Sequence, residues 1–269
     1  MYSFAYVKAS SLRQAAEFLA AHPDARPLSG GMTLIPTLKA RLAQPSHLLD
    51  IARLPELQGI ERKGNAVSIG AGVRHGEVAA SKVVQEAIPA LAYLAQRIGD
   101  PQVRNLGTLG GSVANNDPAA DYPAAVLGLG ATIVTSSREI AADDFFQGMF
   151  ATALEPDELV VRIVFPLAKR AAYEKFPHPA SGYAMAGVFV AETGGGMRVA
   201  VTGAGPGVFR WSDAEAALAR RMSAAALEGL NLAAADLNED MHGSREYRAQ
   251  LVKVMAQRAV AQLTGVGRG

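Results

Sequence analysis

Between Arg104 and Asp121 three glycines (Gly107, Gly110 and Gly111) fall within five residues, flanked by Thr108 and Ser112, and no acidic side chain appears before Asp117. Glycine lets backbone N–H groups turn outward and approach a ligand with no Cβ in the way. Successive N–H groups of that kind form an anion-binding concavity, to which hydroxyls add donors. The natural guest is a phosphate or pyrophosphate. A shorter stretch of the same chemistry lies upstream, at Ser29, Gly30, Gly31, Met32 and Thr33. Either one alone reads more readily as a tight β-turn. Together, each carrying hydroxyl residues, they point to a diphosphate gripped from two sides.

Other charged or glycine-rich stretches compete less well. Lys39 and Arg41 lie too far along the chain from the first turn to reach the same phosphate and read as a solvated face. Val199 to Val208 imitates the strand-then-glycines entry of a Rossmann dinucleotide site. There the third glycine is misplaced, Pro206 removes a donor, and Phe209-Arg210-Trp211 does not start a helix.

Composition narrows the classes further. At 269 residues the chain suits one large or two modest domains, with Lys+Arg 26 against Asp+Glu 25. No basic tract interleaved with aromatics suggests nucleic acid. There is no cysteine, which excludes disulfides, a thiolate-held iron–sulfur cluster and a cysteine nucleophile within this chain. The opening Met1 to Lys8 has no basic-then-apolar pattern, and no apolar run reaches membrane length. A cytoplasmic location is the expectation.

The elements that must position the two turns follow from periodicity. Residues 4–8 read as a strand and 12–21 as a helix with Leu12, Ala15, Ala16 and Leu19 inward, capped by Ser10 or Ser11. A strand over 26–28 delivers the first turn. Thr33 then caps a helix over 34–42 that presents its N-terminus to an anion. Strands are expected over 47–51 and 67–72, a helix from about Glu77, and a buried helix over 83–98 interrupted by Pro89. Residues 103–106 lead into the glycine stretch, and a helix over 122–129 leaves it. Strands 131–135, 138–140 and 159–165 follow. Residues 166–170 are the boundary candidate. Beyond them come strands over 172–176, 183–192 and 198–203, with a Thr193–Gly196 hairpin turn. Helices over 213–222 and 244–263 close the chain, the second with Tyr247, Leu251, Val254 and Ala261 on its inner side.

Leu28 to Arg41, then Leu48 to Ile51, then the stretch around Gly107 to Asp121 resemble the FAD-binding medium subunit of the molybdenum hydroxylases, the family of carbon monoxide dehydrogenase and xanthine dehydrogenase. The resemblance covers nearly the whole chain. It implies an α+β flavoprotein. An FAD domain of the PCMH-like type would span 1–167 (subdomains about 1–57 and 58–167), and a smaller antiparallel-sheet-plus-helices domain would span 168–269. It implies a noncovalent FAD whose pyrophosphate lies between Ser29, Gly30, Gly31, Met32 and Thr33 on one side and Thr108, Gly110, Gly111 and Ser112 on the other. Asn115 and Asp121 match positions near the ribityl chain or flavin, although Asp121 would also serve as N-cap of the helix from Tyr122. Val160 matches a position whose backbone approaches the isoalloxazine ring. Lys175 matches a lysine near the flavin, where positive charge would favour the anionic reduced form; an ordinary edge-strand lysine is the alternative. Tyr183 falls where an aromatic covers the flavin face, or is a β-core tyrosine. Pro177-His178-Pro179 and Gly182 depart from the family pattern of basic and acidic residues.

The same resemblance places molybdopterin in a large partner subunit and two iron–sulfur clusters in a small one, in a dimer of heterotrimers. This chain would relay electrons to a quinone, NAD or oxygen, with no residue acting on the substrate itself. Two other readings are a self-sufficient flavin oxidase of the same fold and an assembly subunit without flavin.

Overall fold

The computed structural model describes residues 1–265. Its first layer is a small βαβ unit: β1 (Ala5–Lys8), α1 (Leu12–Ala21), β2 (Arg26–Leu28), α2 (Leu34–Lys39) and β3 (His47–Asp50). The three strands are all parallel in the order β1-β3-β2. Ser11 is the residue that caps α1, its hydroxyl accepting from the Gln14 N–H, and Ala15 and Leu19 are the buried members of the expected face. Thr33 does not cap α2. Its backbone is already helical and its hydroxyl accepts no bond from the first turn. At six residues α2 is also shorter than expected, so its dipole adds little to an anion.

The second layer holds β4 (Ile60–Lys63), β5 (Ala66–Gly70), α3 (His75–Ala80), α4 (Lys82–Ala87), α5 (Pro89–Gln96), α6 (Pro101–Leu106), α7 (Leu109–Asn115) and α8 (Tyr122–Leu129). It continues through β6 (Thr132–Thr135), β7 (Glu139–Ala141), α9 (Ala142–Phe145), β8 (Phe146–Gly148), β9 (Ala151–Thr152) and β10 (Val160–Pro166). A five-stranded antiparallel sheet runs β4-β5-β10-β6-β7, and β8 with β9 forms a separate hairpin. The buried helix expected over 83–98 is two helices. Ile88, extended before Pro89, breaks it as residues before proline do. The largest difference concerns the glycine stretch itself. Residues 101–106 and 109–115 are both helical, so Gly110 and Gly111 sit in the first turn of α7 and not in a loop.

The third layer is a four-stranded antiparallel sheet, β11 (Arg170–Pro177), β12 (Ala184–Thr193), β13 (Gly196–Thr202) and β14 (Phe209–Arg210), followed by α10 (Ser212–Arg220) and α11 (Arg245–Thr264). β12 reads as one apolar run because both its faces are covered. Phe189 and Ala191 join the core of the first two layers, whereas Ala186, Val188 and Val190 pack with α10 and α11. That alternation is the period-2 signature of a strand buried on both sides. α11 is turned relative to the expected stripe. Arg248, Leu251, Val252, Met255, Ala256, Ala259 and Val260 are buried, and Tyr247 is exposed. The buried Arg248 misled the pattern. Its guanidinium donates to the Met185 and Gly203 carbonyls and to Asp240 (3.0, 3.0 and 2.7 Å), so a charged residue occupies the inner face.

Candidate functional site

One cleft of about 520 Å³ collects almost every residue singled out from the sequence, a size within the roughly 300–1,000 Å³ of small-molecule sites. Ser29 to Thr33 line one side and Thr108, Gly110, Gly111, Ser112 and Asn115 the other. Asp121, Val160 and Tyr183 also reach it. The two walls touch at the Ser29 and Thr108 hydroxyls, 3.0 Å apart. Gly30 explains how closely they approach: a Cβ there would stand 2.2 Å from the Leu106 carbonyl oxygen.

The walls are not equivalent. Sequence reasoning treated both as open concavities of N–H groups. In the structure the Leu109 and Gly110 N–H groups donate to the Val73 and Ala71 carbonyls at 2.9 and 2.8 Å. The Gly111 N–H donates to the Thr108 hydroxyl at 3.3 Å, as an N-cap. Gly107, Gly110 and Gly111 all have ordinary negative φ. Their glycine character serves close packing. A Cβ on Gly107 would lie 2.6 Å from His75 Nε2, and one on Gly110 2.3 Å from the Ala71 Cβ. Gly111 differs, since it is exposed and its missing Cβ would meet only the Thr108 hydroxyl within 4 Å.

The open donors lie on the other wall. Among the described residues the N–H groups of Gly30, Gly31, Met32 and Thr33 find no acceptor, and Gly31 is in the left-handed region at φ +68°. Four consecutive unpaired N–H groups beside a left-handed residue form the anion nest that sequence reasoning had shared between the two turns. No carboxylate competes inside that turn.

Deeper in the cleft the polar groups are held by the protein. Asp121 is buried and makes no side-chain cap on α8, which removes that alternative. Its carboxylate instead accepts from the Tyr173 hydroxyl at 2.5 Å and lies 3.0 Å from Lys175 Nζ. Burial pushes the Asp121 pKa up, opposed by the neighbouring Lys175 ammonium and the Tyr173 hydroxyl. Lys175 lies on the edge strand β11 yet is fully buried and does not line the cleft. Tyr183 is half exposed at the mouth, in the turn before β12 and not in the sheet core. His178 lies outside the cleft with its ring 4.4 Å from that of His242. Gly182 has φ +73°, a conformation open to glycine and strained for the acidic residue of the family pattern.

Among the cleft residues that no sequence pattern marks are His75 and Glu158. His75 is buried between Gly107 and the Tyr122 ring, and burial with the nearby Arg104 charge lowers its pKa to about 4, so it is neutral. Only the Gly107 contact marks it, and no sequence pattern carries that contact. Glu158 accepts from Arg138, from the Thr135 hydroxyl and from the Glu155 N–H, which hold its pKa down at about 2. The rival stretch at 203–207 lines no part of the cleft. Gly203 is a packing residue whose Cβ would stand 2.3 Å from the Ala184 carbonyl.

Residues 2–168 match the family model described as the FAD binding domain in molybdopterin dehydrogenase, and residues 171–263 match the CO dehydrogenase flavoprotein C-terminal domain. The chain belongs to this family. The glyceraldehyde dehydrogenase medium chain of Sulfolobus acidocaldarius is 35% identical, across 97% of this chain and 98% of the relative. The carbon monoxide dehydrogenase medium chain of Hydrogenophaga pseudoflava is 36% identical, across 88% of each. The solved carbon monoxide dehydrogenase of Hydrogenophaga pseudoflava superposes with a TM-score of 0.90 over 98% of both chains, at 36% identity. The reconstituted enzyme of Oligotropha carboxidovorans gives 0.92 over 99%, at 34% identity. This medium chain is therefore an FAD-binding component of a molybdenum-hydroxylase-type oxidoreductase. Its own residues fit the cofactor. A nest with unpaired N–H groups suits a pyrophosphate, and the open face of Gly111 leaves the room a Cβ would fill. No helix among the described residues is long and apolar enough to cross a membrane, and no cluster of three or more metal-ligating side chains is present among them.

Proposed function

We propose that this chain holds a noncovalent FAD in the cleft and relays electrons from an iron–sulfur partner to an external acceptor. Bound there, FAD supplies one- and two-electron exchange between a cluster and a diffusible oxidant. The observation that carries the reading is the nest at Gly30 to Thr33, whose four free N–H groups suit a doubly charged diphosphate. Ser29, Thr108 and Ser112 add hydroxyls around it, and Gly111 leaves the opposite wall open. Asn115 and Asp121 take the ribityl hydroxyls, which accept an acidic neighbour as a phosphate does not. The Val160 backbone borders the ring and Tyr183 closes the mouth. The FAD domain extends to about residue 167, and β11 opens the second domain. A molybdopterin-bearing large subunit and an iron–sulfur small subunit are its partners, in a cytoplasmic dimer of heterotrimers. Substrate chemistry takes place in the large subunit, and the absence of cysteine here fits iron–sulfur clusters held by a separate chain.

The test is the absorption spectrum of the purified complex and of this chain, before and after adding FAD. Flavin bands, two co-purifying chains, and bleaching of the flavin band by the reduced iron–sulfur partner are expected. A colourless protein that takes up no FAD, or turnover by this chain alone, would overturn the reading.

A further inference from the structure

Lys175 is a buried ionisable group that the cleft lining leaves out. An ammonium has three protons and no acceptor capacity. All three are engaged: Nζ donates to the Arg97 carbonyl at 2.8 Å, the Gly182 carbonyl at 3.0 Å and Asp121 Oδ2 at 3.1 Å. Each acceptor belongs to a different wall. Arg97 ends α5 just before Ile98 and Gly99, Asp121 opens α8, and Gly182 directly precedes Tyr183; Ile98, Gly99, Asp121 and Tyr183 all line the cleft. Three donors on one tetrahedral centre fix three separate chain segments at one point. The charge is matched locally too, because Asp121 sits 3.0 Å away and is itself held by the Tyr173 hydroxyl.

We infer that Lys175 is a positioning residue that ties three walls of the FAD cleft together, and that its charge reaches the flavin only as half of a neutral pair with Asp121. This rests on the FAD reading above. A lysine acting on the flavin directly needs a proton facing the cleft, and none is left over. The Tyr183 turn is held to the body of the protein through Gly182 and, where β12 begins, by the Ala184 N–H donating to the Ala119 carbonyl at 3.4 Å; its other bonds are local.

The experiment uses the FAD-loaded full chain in its complex, with Lys175→Met and the double variant Asp121→Asn/Lys175→Met. Two quantities are read well below the unfolding temperature: the rate of FAD release and the midpoint potential of the flavin. The double variant removes the buried carboxylate that Lys175→Met leaves without its counter-charge. Lys175→Met should release FAD faster by about ten-fold or more, as fits the loss of charge-assisted hydrogen bonds to three walls; the double variant also alters a residue that faces the ribityl chain, so it is read for its potential alone. The potential of the double variant should return to the wild-type value, because one positive and one negative charge leave together. A potential that stays lowered in both variants would show a direct charge effect and overturn the inference. A wild-type release rate in Lys175→Met would overturn it as well, whether or not thermal stability is lost. If the wild-type chain takes up no FAD, the site assignment itself fails, a result distinct from any of these.

Discussion

At the residue scale, adjacent glycines in α7 do opposite things. Gly110 has Ala71 against it and Gly111 has the cleft in front of it. Gly110→Ala should therefore lower global stability by about 1–3 kcal/mol through overpacking, read by urea unfolding. Gly111→Leu puts its Cβ 2.9 Å from the Thr108 hydroxyl alone, so it should cost less stability than Gly110→Ala while abolishing FAD uptake, read by the flavin bands. Equal effects from the two would contradict the packing described. His75 makes a separate prediction. Its folded pKa, about 4, lies below its ordinary 6.5, so between those values the unfolded chain binds a proton that the native chain refuses. Stability should then fall as pH drops through that window, by at most ~1.4 kcal/mol per pH unit. Glu158, held near 2 against an ordinary 4.5, adds its loss only below about 4.5. His75→Gln should flatten the limb between 6.5 and 4 and leave the more acid limb in place; an unchanged limb would show that His75 is not the group responsible.

At the element scale, the C-terminus of α7 is as constrained as its start. Asn116 is buried in the left-handed region at φ +44°, and its amide donates to the Gly148 and Ala151 carbonyls, both at 2.8 Å. The Asn116 backbone carbonyl accepts from the Phe150 N–H. One asparagine thus ties the helix bearing Gly111 to the β8–β9 hairpin, whose Thr152 also lines the cleft. Asn116→Ala leaves two carbonyls without a partner and adds strain at a positive φ, so a loss of about 1–3 kcal/mol is expected. Hydrogen exchange should show that loss concentrated in residues 146–152. A uniform loss over the whole chain would argue against the tether.

At the scale of the whole molecule, the third layer is bound to the second by a tight contact as well as by area. Phe189 of β12 packs where a Cβ on Gly128 of α8 would come within 2.8 Å of its ring. Arg198 of β13 spans the same junction, donating to the Leu127 carbonyl and to both oxygens of Asp143. A single calorimetric transition is expected for the wild type, and Gly128→Leu should split it into two as the layers separate. A single, merely lowered transition would mean that the wedge is absorbed within α8. The Asp121–Lys175 pair crosses the same junction, so the cleft depends on this packing too.

Local chemistry was legible in the chain. Two hydroxyl-bearing glycine stretches, the strand before the first of them, the lack of cysteine and the family resemblance all rest on residue types at short spacing, which a linear sequence displays directly. The tertiary structure alone decided how those residues are used. The Ala71 and Val73 carbonyls, far from α7 in sequence, took up the N–H groups of the second wall and left the nest to Gly30–Thr33. Distant acceptors at Arg97 and Asp121, with the nearby Gly182 carbonyl, turned an apparent edge-strand lysine into a buried tether. A hydrogen bond satisfied across about thirty or more residues leaves no trace in local spacing, and whether a donor remains free for a ligand depends on that bond.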